Sequence, residues 1–228
     1  LYVRQDQVWV FSSEMGRADA RSRADGSPSA APVLFGALGS TATDFNARAG
    51  ILYAAVRSVG NAAPTLAIAA PSAGVNRRAL AASGRPGQVK AGRDGVWVSM
   101  QAAPSLFFSD PTGRAPLRAI DLPATYNAGF GLAIDGDEGW LVSRGQPEAV
   151  VALDLASRRV IEEFYRDDGL CQVIDAAVDT ERVYVSCRAQ NAVIGLPTAW
   201  AFALRARDPT VVERAVELRH QLHRFPEL

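Results

Sequence analysis

The stretch DEGWLVSRG, residues 137–145, puts an acidic turn ahead of a tryptophan set in a short apolar run that closes on small polar residues. The same plan returns in DQVWVFSS (6–13), AGILYAAVRS (49–58), DGVWVSMQ (94–101) and TERVYVSCRA (180–189). The aromatic anchors are Trp9, Tyr53, Trp97, Trp140 and Tyr184, spaced 44, 44, 43 and 44 residues apart. Four steps so nearly equal define an internal repeat, and such a repeat sets the fold before any single element is assigned.

Further strand-like segments recur around each anchor. GQVKAGR, FGLAIDG and CQVIDAAV precede anchors; TLAIAA, SLFFSD, EAVVALDL and NAVIGL follow them; LRAIDLP and VIEEFY close units. Short strands separated by turn residues, repeated every 40–45 residues, give the period of a β-propeller blade. A lone blade cannot bury both faces of its sheet, so the anchors and Val, Ile and Leu positions are expected between stacked neighbours. The reading is therefore all-β, a propeller of about five recognisable blades over residues 1–199, with four short antiparallel strands each. Five anchors fit either a five-bladed ring or part of a larger one, and the start inside a blade favours the second.

The segments EAVVALDLASRRVIEEF (148–164) and RVYVSCRAQNAVIGL (182–196) resemble the YVTN-type propeller repeat, loosely so in the first blade. After a linker at 200–209 the pattern changes. Val211, Ala215, Leu218 and Leu222 follow helical spacing, Asp208 and Pro209 suit a helix start, and Pro226 ends it. A C-terminal helix is thus expected over 210–228. Its string ELRHQLHRFPEL resembles the opening helix of the zinc-dependent amidohydrolase and aminoacylase family, hippurate hydrolase-like within the carboxypeptidase group, at Arg219, Leu222, His223, Pro226, Glu227 and Leu228. That resemblance implies a hydrolase acting on N-acyl amino acids or peptides, whose metal centre would lie beyond Leu228. Zinc is expected only with such a downstream domain, and no cofactor is expected in this chain.

Composition narrows the partners. The 228 residues carry 24 basic and 24 acidic side chains, a formal net charge of zero, and Lys90 is the sole lysine. Balanced charge provides no long-range attraction to nucleic acid, and no run reaches the roughly 20 apolar residues of a membrane helix. Residues 1–219 contain no histidine, so neither a Ser-His-Asp nor a Cys-His arrangement can form in the propeller. His220 and His223 alone do not make a zinc site. The acidic run Asp135, Asp137 and Glu138 reads as a hairpin turn.

Four blades place a long polar residue four positions after the anchor: Arg57, Gln101, Arg144 and Arg188. In a common register these would ring one end of the propeller and receive a protein or a small anionic ligand. The register is ambiguous by one residue near Trp140, where Ser143 competes for alignment with Ser99 and Ser186. Cys171 and Cys187 flank a turn expected at Asp179 and Thr180, which would place them opposite each other, either as a disulfide or as two buried thiols. A disulfide would imply an extracytoplasmic compartment, and free thiols a cytoplasmic one. The resulting expectation is a non-catalytic propeller that binds a partner through its loops; the alternative is the N-terminal part of a zinc amidohydrolase, inactive without its metal centre.

Overall fold

The computed structural model describes residues 1–60, 62–70, 74–81, 84–101, 103–122, 129–143, 148–166, 173–179, 182–188 and 191–197. The expected helix at 210–228, the linker before it, Arg144 and Cys171 lie outside these residues.

The described chain forms five antiparallel sheets, each a simple meander in chain order. Blade A comprises β1 (Tyr2–Arg4), β2 (Gln7–Ser12), β3 (Arg17–Ser22) and β4 (Val33–Leu34). Blade B comprises β5 (Thr41–Arg48), β6 (Ile51–Arg57), β7 (Thr65–Ala70) and β8 (Gly74–Ala79). Blade C holds β9 (Pro86–Ala91), β10 (Val96–Met100), β11 (Ser105–Ser109) and β12 (Arg118–Asp121). Blade D holds β13 (Gly129–Asp135), β14 (Glu138–Ser143), β15 (Glu148–Asp154) and β16 (Arg159–Arg166), and blade E β17 (Val173–Val178), β18 (Arg182–Cys187) and β19 (Ala192–Pro197). First strands lie against first strands: β5 against β9, β9 against β13, and β13 against β17. They therefore surround the axis, with later strands farther out.

All five anchors occupy the second strand of their blade, in matching register. Trp9 faces Tyr2 and Ala20, Tyr53 faces Asn46 and Ile68, and Trp97 faces Lys90 and Phe108. Trp140 faces Ala133 and Ala152, and Tyr184 faces Ala177 and Gly195. This fixes the direction in which each blade packs, because the period-two alternation of a strand commits every second residue to one face. The anchor face, here called the front, meets the back of the following blade.

The core clusters follow that rule. Trp9, Phe11 and Ala18 from the front of A meet Leu52, Ala54, Val56 and Ala67 from the back of B. Tyr53 and Leu66 meet Val89, Val98 and Met100; Trp97 and Leu106 meet Leu132, Leu141 and Val151; Trp140 and Val150 meet Ala176, Val183 and Val185. Polar atoms add to the joints. Tyr53 donates its hydroxyl to the Pro111 carbonyl at 3.1 Å, and burial holds its pKa up to about 12. Arg77 reaches back from β8 to the Phe35 carbonyl at 2.7 Å, while Asn76 and Arg78 both donate to the Gly113 carbonyl of blade C.

The turn expected at Asp135–Glu138 is the two-residue hairpin joining β13 to β14, with Gly136 at φ 55°. Two strands of blade B escape a hydrophobicity reading because β5 (TATDFNAR) and β8 (GVNRRA) are polar. In the described ladder Cys187 faces Val173, and the position of Cys171 lies outside the described residues. The hairpin turns one residue later than expected, and a bulge between Val173 and Asp175 shifts the pairing again. Cys187 is buried and disulfide-bonded.

Candidate functional site: the axial polar chain and the cationic end

Each first strand beyond β1 carries an irregularity at the same height. The register shifts between Ala42 and Asp44 and between Gly129 and Gly131, opposite Val98–Met100 in β9, and between Val173 and Asp175. A bulge inserts a residue and re-aims the side chain that follows it. The re-aimed residues are Asp44, Gln88, Gly131 and Asp175, each nine positions before its blade's anchor.

These residues form a hydrogen-bond chain along the axis. Asp44 Oδ2 accepts from the Val89 backbone N–H of the next blade at 2.9 Å, and Gln88 Oε1 accepts from Leu132 N–H of its next blade at 2.7 Å. Blade D offers no side chain there, because the position is Gly131. Gln88 Nε2 instead passes to blade E and donates to Asp175 Oδ1 at 2.8 Å, which also accepts from Ala176 N–H at 2.8 Å. Serines at matching positions tie the bulges to the second strands: Ser99 Oγ accepts from Gln88 N–H at 2.9 Å, and Ser186 Oγ from Asp175 N–H at 3.1 Å. Val142 occupies the corresponding position in blade D, opposite Val150, so the ambiguity near Trp140 resolves to Val142 in place of Ser143.

Asp44 is half-buried beside a cleft of about 350 Å³ whose walls include Tyr2, Phe11, Phe45 and Asn46. Burial raises its pKa above the ordinary 3.8; the Val89 amide bond and Lys90 oppose that shift, and Asp175 reinforces it. The folded state therefore holds this proton more tightly than the unfolded chain. By linkage, the stability associated with Asp44 is greatest below pH 3.8 and falls as pH rises through the folded pKa. Asp44→Asn keeps an oxygen able to accept from Val89 and removes the charge. The expected result is a Tm at pH 7 equal to or above wild type, with the difference shrinking toward acid pH, measured by thermal denaturation across that range.

The polar positions four after the anchors come to one end of the axis. Arg57 is the exposed last residue of β6, Gln101 follows β10, and exposed Arg188 follows β18. All three sit where second strands end and first strands begin, since Arg57 faces Thr41 and the Gln101 N–H donates to the Arg85 carbonyl at 2.8 Å. Exposed Arg85 joins this end, a position that sequence reasoning missed because it precedes a first strand instead of following an anchor. Of the acidic residues at this end, Glu14 lies in a described loop, and Asp121 and Glu148 stand at strand ends. The opposite end carries Asp6, Asp25, Asp94, Asp110, Asp137 and Asp179 among its charges. The near end also exposes Met15, Leu38 and Val59.

Arrangement and topology define a β-propeller, and solved structures agree. A streptogramin B lyase structure superposes with TM-score 0.65 at 12% identity, covering 84% of this chain and 65% of that one. Virginiamycin B lyase from Staphylococcus aureus gives TM-score 0.65 at 11% identity, with coverage of 84% and 66%. BamB from Moraxella catarrhalis gives 0.62 at 17% identity, with coverage of 85% and 55%. The chain thus spans about two thirds or less of these proteins, and the likeness is one of fold. No protein-family model matches the chain, and no curated protein does. The amidohydrolase-like positions Arg219, Leu222, His223, Pro226, Glu227 and Leu228 lie outside the described residues. No helix among the described residues is long and apolar enough to cross a membrane.

Proposed function

We propose that this chain is a non-catalytic β-propeller binding module whose near end receives an acidic protein segment that also carries apolar side chains. The carrying observation is the grouping of exposed Arg57, Arg85 and Arg188 on one end of the axis, with Met15, Leu38 and Val59 exposed on that end. Guanidinium groups favour carboxylates through paired, charge-assisted hydrogen bonds. Methionine and leucine at loop tips supply adaptable apolar contact. Rigid blades hold the loops, so a partner meets a preformed surface.

The test uses a fluorescein-labelled peptide of alternating aspartate and leucine, followed by anisotropy. Binding is expected to weaken with salt, as exposed charge pairs do. The triple variant Arg57→Glu, Arg85→Glu and Arg188→Glu is expected to lose at least about tenfold in affinity through introduced like charge. Arg93→Glu with Arg114→Glu, on the opposite end, is expected to leave affinity unchanged. Equal loss in both variants would remove the near end as the binding surface. Competition by free phosphate as effective as that of the peptide would point to a small-anion site.

A further inference from the structure

The apolar and cationic parts of the near end are not mixed. Met15, Leu38 and Val59 are 58%, 102% and 56% exposed, and all three come from the turns of blades A and B. None of them enters the four joints between described blades. The other strongly exposed large apolar residues, Leu1, Val3, Val10, Leu34 and Val193, lie in or beside the strands of blades A and E, where a further blade would cover them. A blade packs on sheet faces, so a further blade leaves the turn tips of A and B open.

The three tips form one cap. The Phe35 N–H donates to the Gly16 carbonyl at 2.8 Å and the Ala42 N–H to the Ser13 carbonyl at 2.8 Å, which ties the Met15 turn to the Leu38 loop. A Cβ at Gly39 would stand 3.3 Å from Val59 Cγ2, so the same loop lies against the Val59 turn of blade B. Buried Phe35 and Ser40 anchor the two feet of the loop, and the Ser40 N–H closes it on the Ala37 carbonyl at 3.0 Å. Leu38 is thus held in water on a preformed turn, and covering it costs little ordering.

We infer that this cap, together with Arg57 and Arg85, receives a partner segment patterned in blocks: contiguous apolar residues seat on Met15, Leu38 and Val59, and contiguous acidic residues on the two arginines. The inference rests on the proposed acidic-segment reading and gives that segment its order. Arg57 ends the second strand of blade B two residues before Val59, and Arg85 directly precedes the first strand of blade C. The guanidinium groups therefore follow the cap on neighbouring blades, toward the axis. Glu14 is exposed beside Met15 in the same turn, and like charge disfavours an acidic block placed over the cap.

Fluorescence anisotropy on the full chain compares three fluorescein-labelled peptides of equal composition: leucines then aspartates, aspartates then leucines, and the two alternating. One block order is expected to bind at least about tenfold more tightly than the alternating peptide, because it lays both blocks on matching groups at once. Leu38→Ala changes a fully exposed side chain, and is expected to remove most of that advantage while leaving the salt dependence in place. Arg57→Glu with Arg85→Glu is expected to abolish the salt dependence. Block orders that bind no more tightly than the alternating peptide, or a preferred order untouched by Leu38→Ala, would overturn the inference and leave the acidic-segment reading standing. Absence of salt-sensitive binding by all three peptides would overturn that reading, and the inference with it. Leu38-dependent pelleting with phosphatidylglycerol vesicles, with no peptide bound, would assign the cap to a lipid surface and overturn both.

Discussion

Trp140→Ala is expected to lower the stability of the propeller by about 3–5 kcal/mol, the cost of removing a large buried aromatic and leaving a cavity. Trp140 is 0% exposed and sits in the joint where Val142, Val150 and Ala152 of blade D meet Ala176, Val183 and Val185 of blade E. Because domain stabilities run to only about 5–15 kcal/mol, this loss takes a large share of the total. For a chain of this length it corresponds to a fall in Tm of roughly 6–20 °C. Tyr184→Ala is the informative comparison. It removes the same repeat position from a front that no described blade covers, and a clearly smaller loss is expected, since Tyr184 is only half-buried and its hydroxyl donates to Asp179 Oδ2 at 3.0 Å. Thermal denaturation of both variants checks the contrast; equal losses would mean that burial in the joint is not what makes the anchor matter.

Gly131→Val is expected to be the second severe change, for the opposite reason. A Cβ at Gly131 would stand 2.7 Å from the Ala176 nitrogen and 2.8 Å from the Asp175 Cα, so it meets backbone that cannot rotate away. Blade E would have to withdraw from blade D, opening the cluster around Trp140. Overpacking costs about 1–3 kcal/mol in general, and contact with backbone places this case at the upper end. The same change disturbs the bond from Gln88 to Asp175, which crosses blade D where Gly131 has no side chain. Urea denaturation is expected to show a reduced midpoint, with Gly131→Ala intermediate. An unchanged midpoint for Gly131→Val would contradict the close approach of blades D and E.

The blades were legible because their anchors obey one strong rule. A large aromatic that must be covered by the next sheet recurs wherever a sheet recurs, and Tyr53, Trp97 and Trp140 are buried accordingly. The axial residues were harder to see. Asp44, Gln88 and Asp175 keep the anchor spacing, yet Asp and Gln are ordinary in turns, and their chain is broken by Gly131. Their position nine residues before each anchor was the signal available. Bulges were invisible for a related reason: an inserted residue changes facing without changing composition, as between Val173 and Asp175. Polar strands such as β8, whose arginines reach carbonyls in neighbouring blades, leave no apolar alternation to read.

The axial bonds run one way, from a side chain in one blade to a backbone amide in the next, 45 residues on at Asp44 and 44 at Gln88. A unit that is copied in frame therefore carries both halves of the clasp, and a tandem duplicate fits its neighbours without any compensating change. The step from blade C to blade D is one residue shorter than the others, 43 by its anchors, and the Gln88–Leu132 clasp forms across it all the same. The clasp position without a side chain is Gly131, at the start of a step of ordinary length, so blade D meets blade E without the tether that its neighbours share.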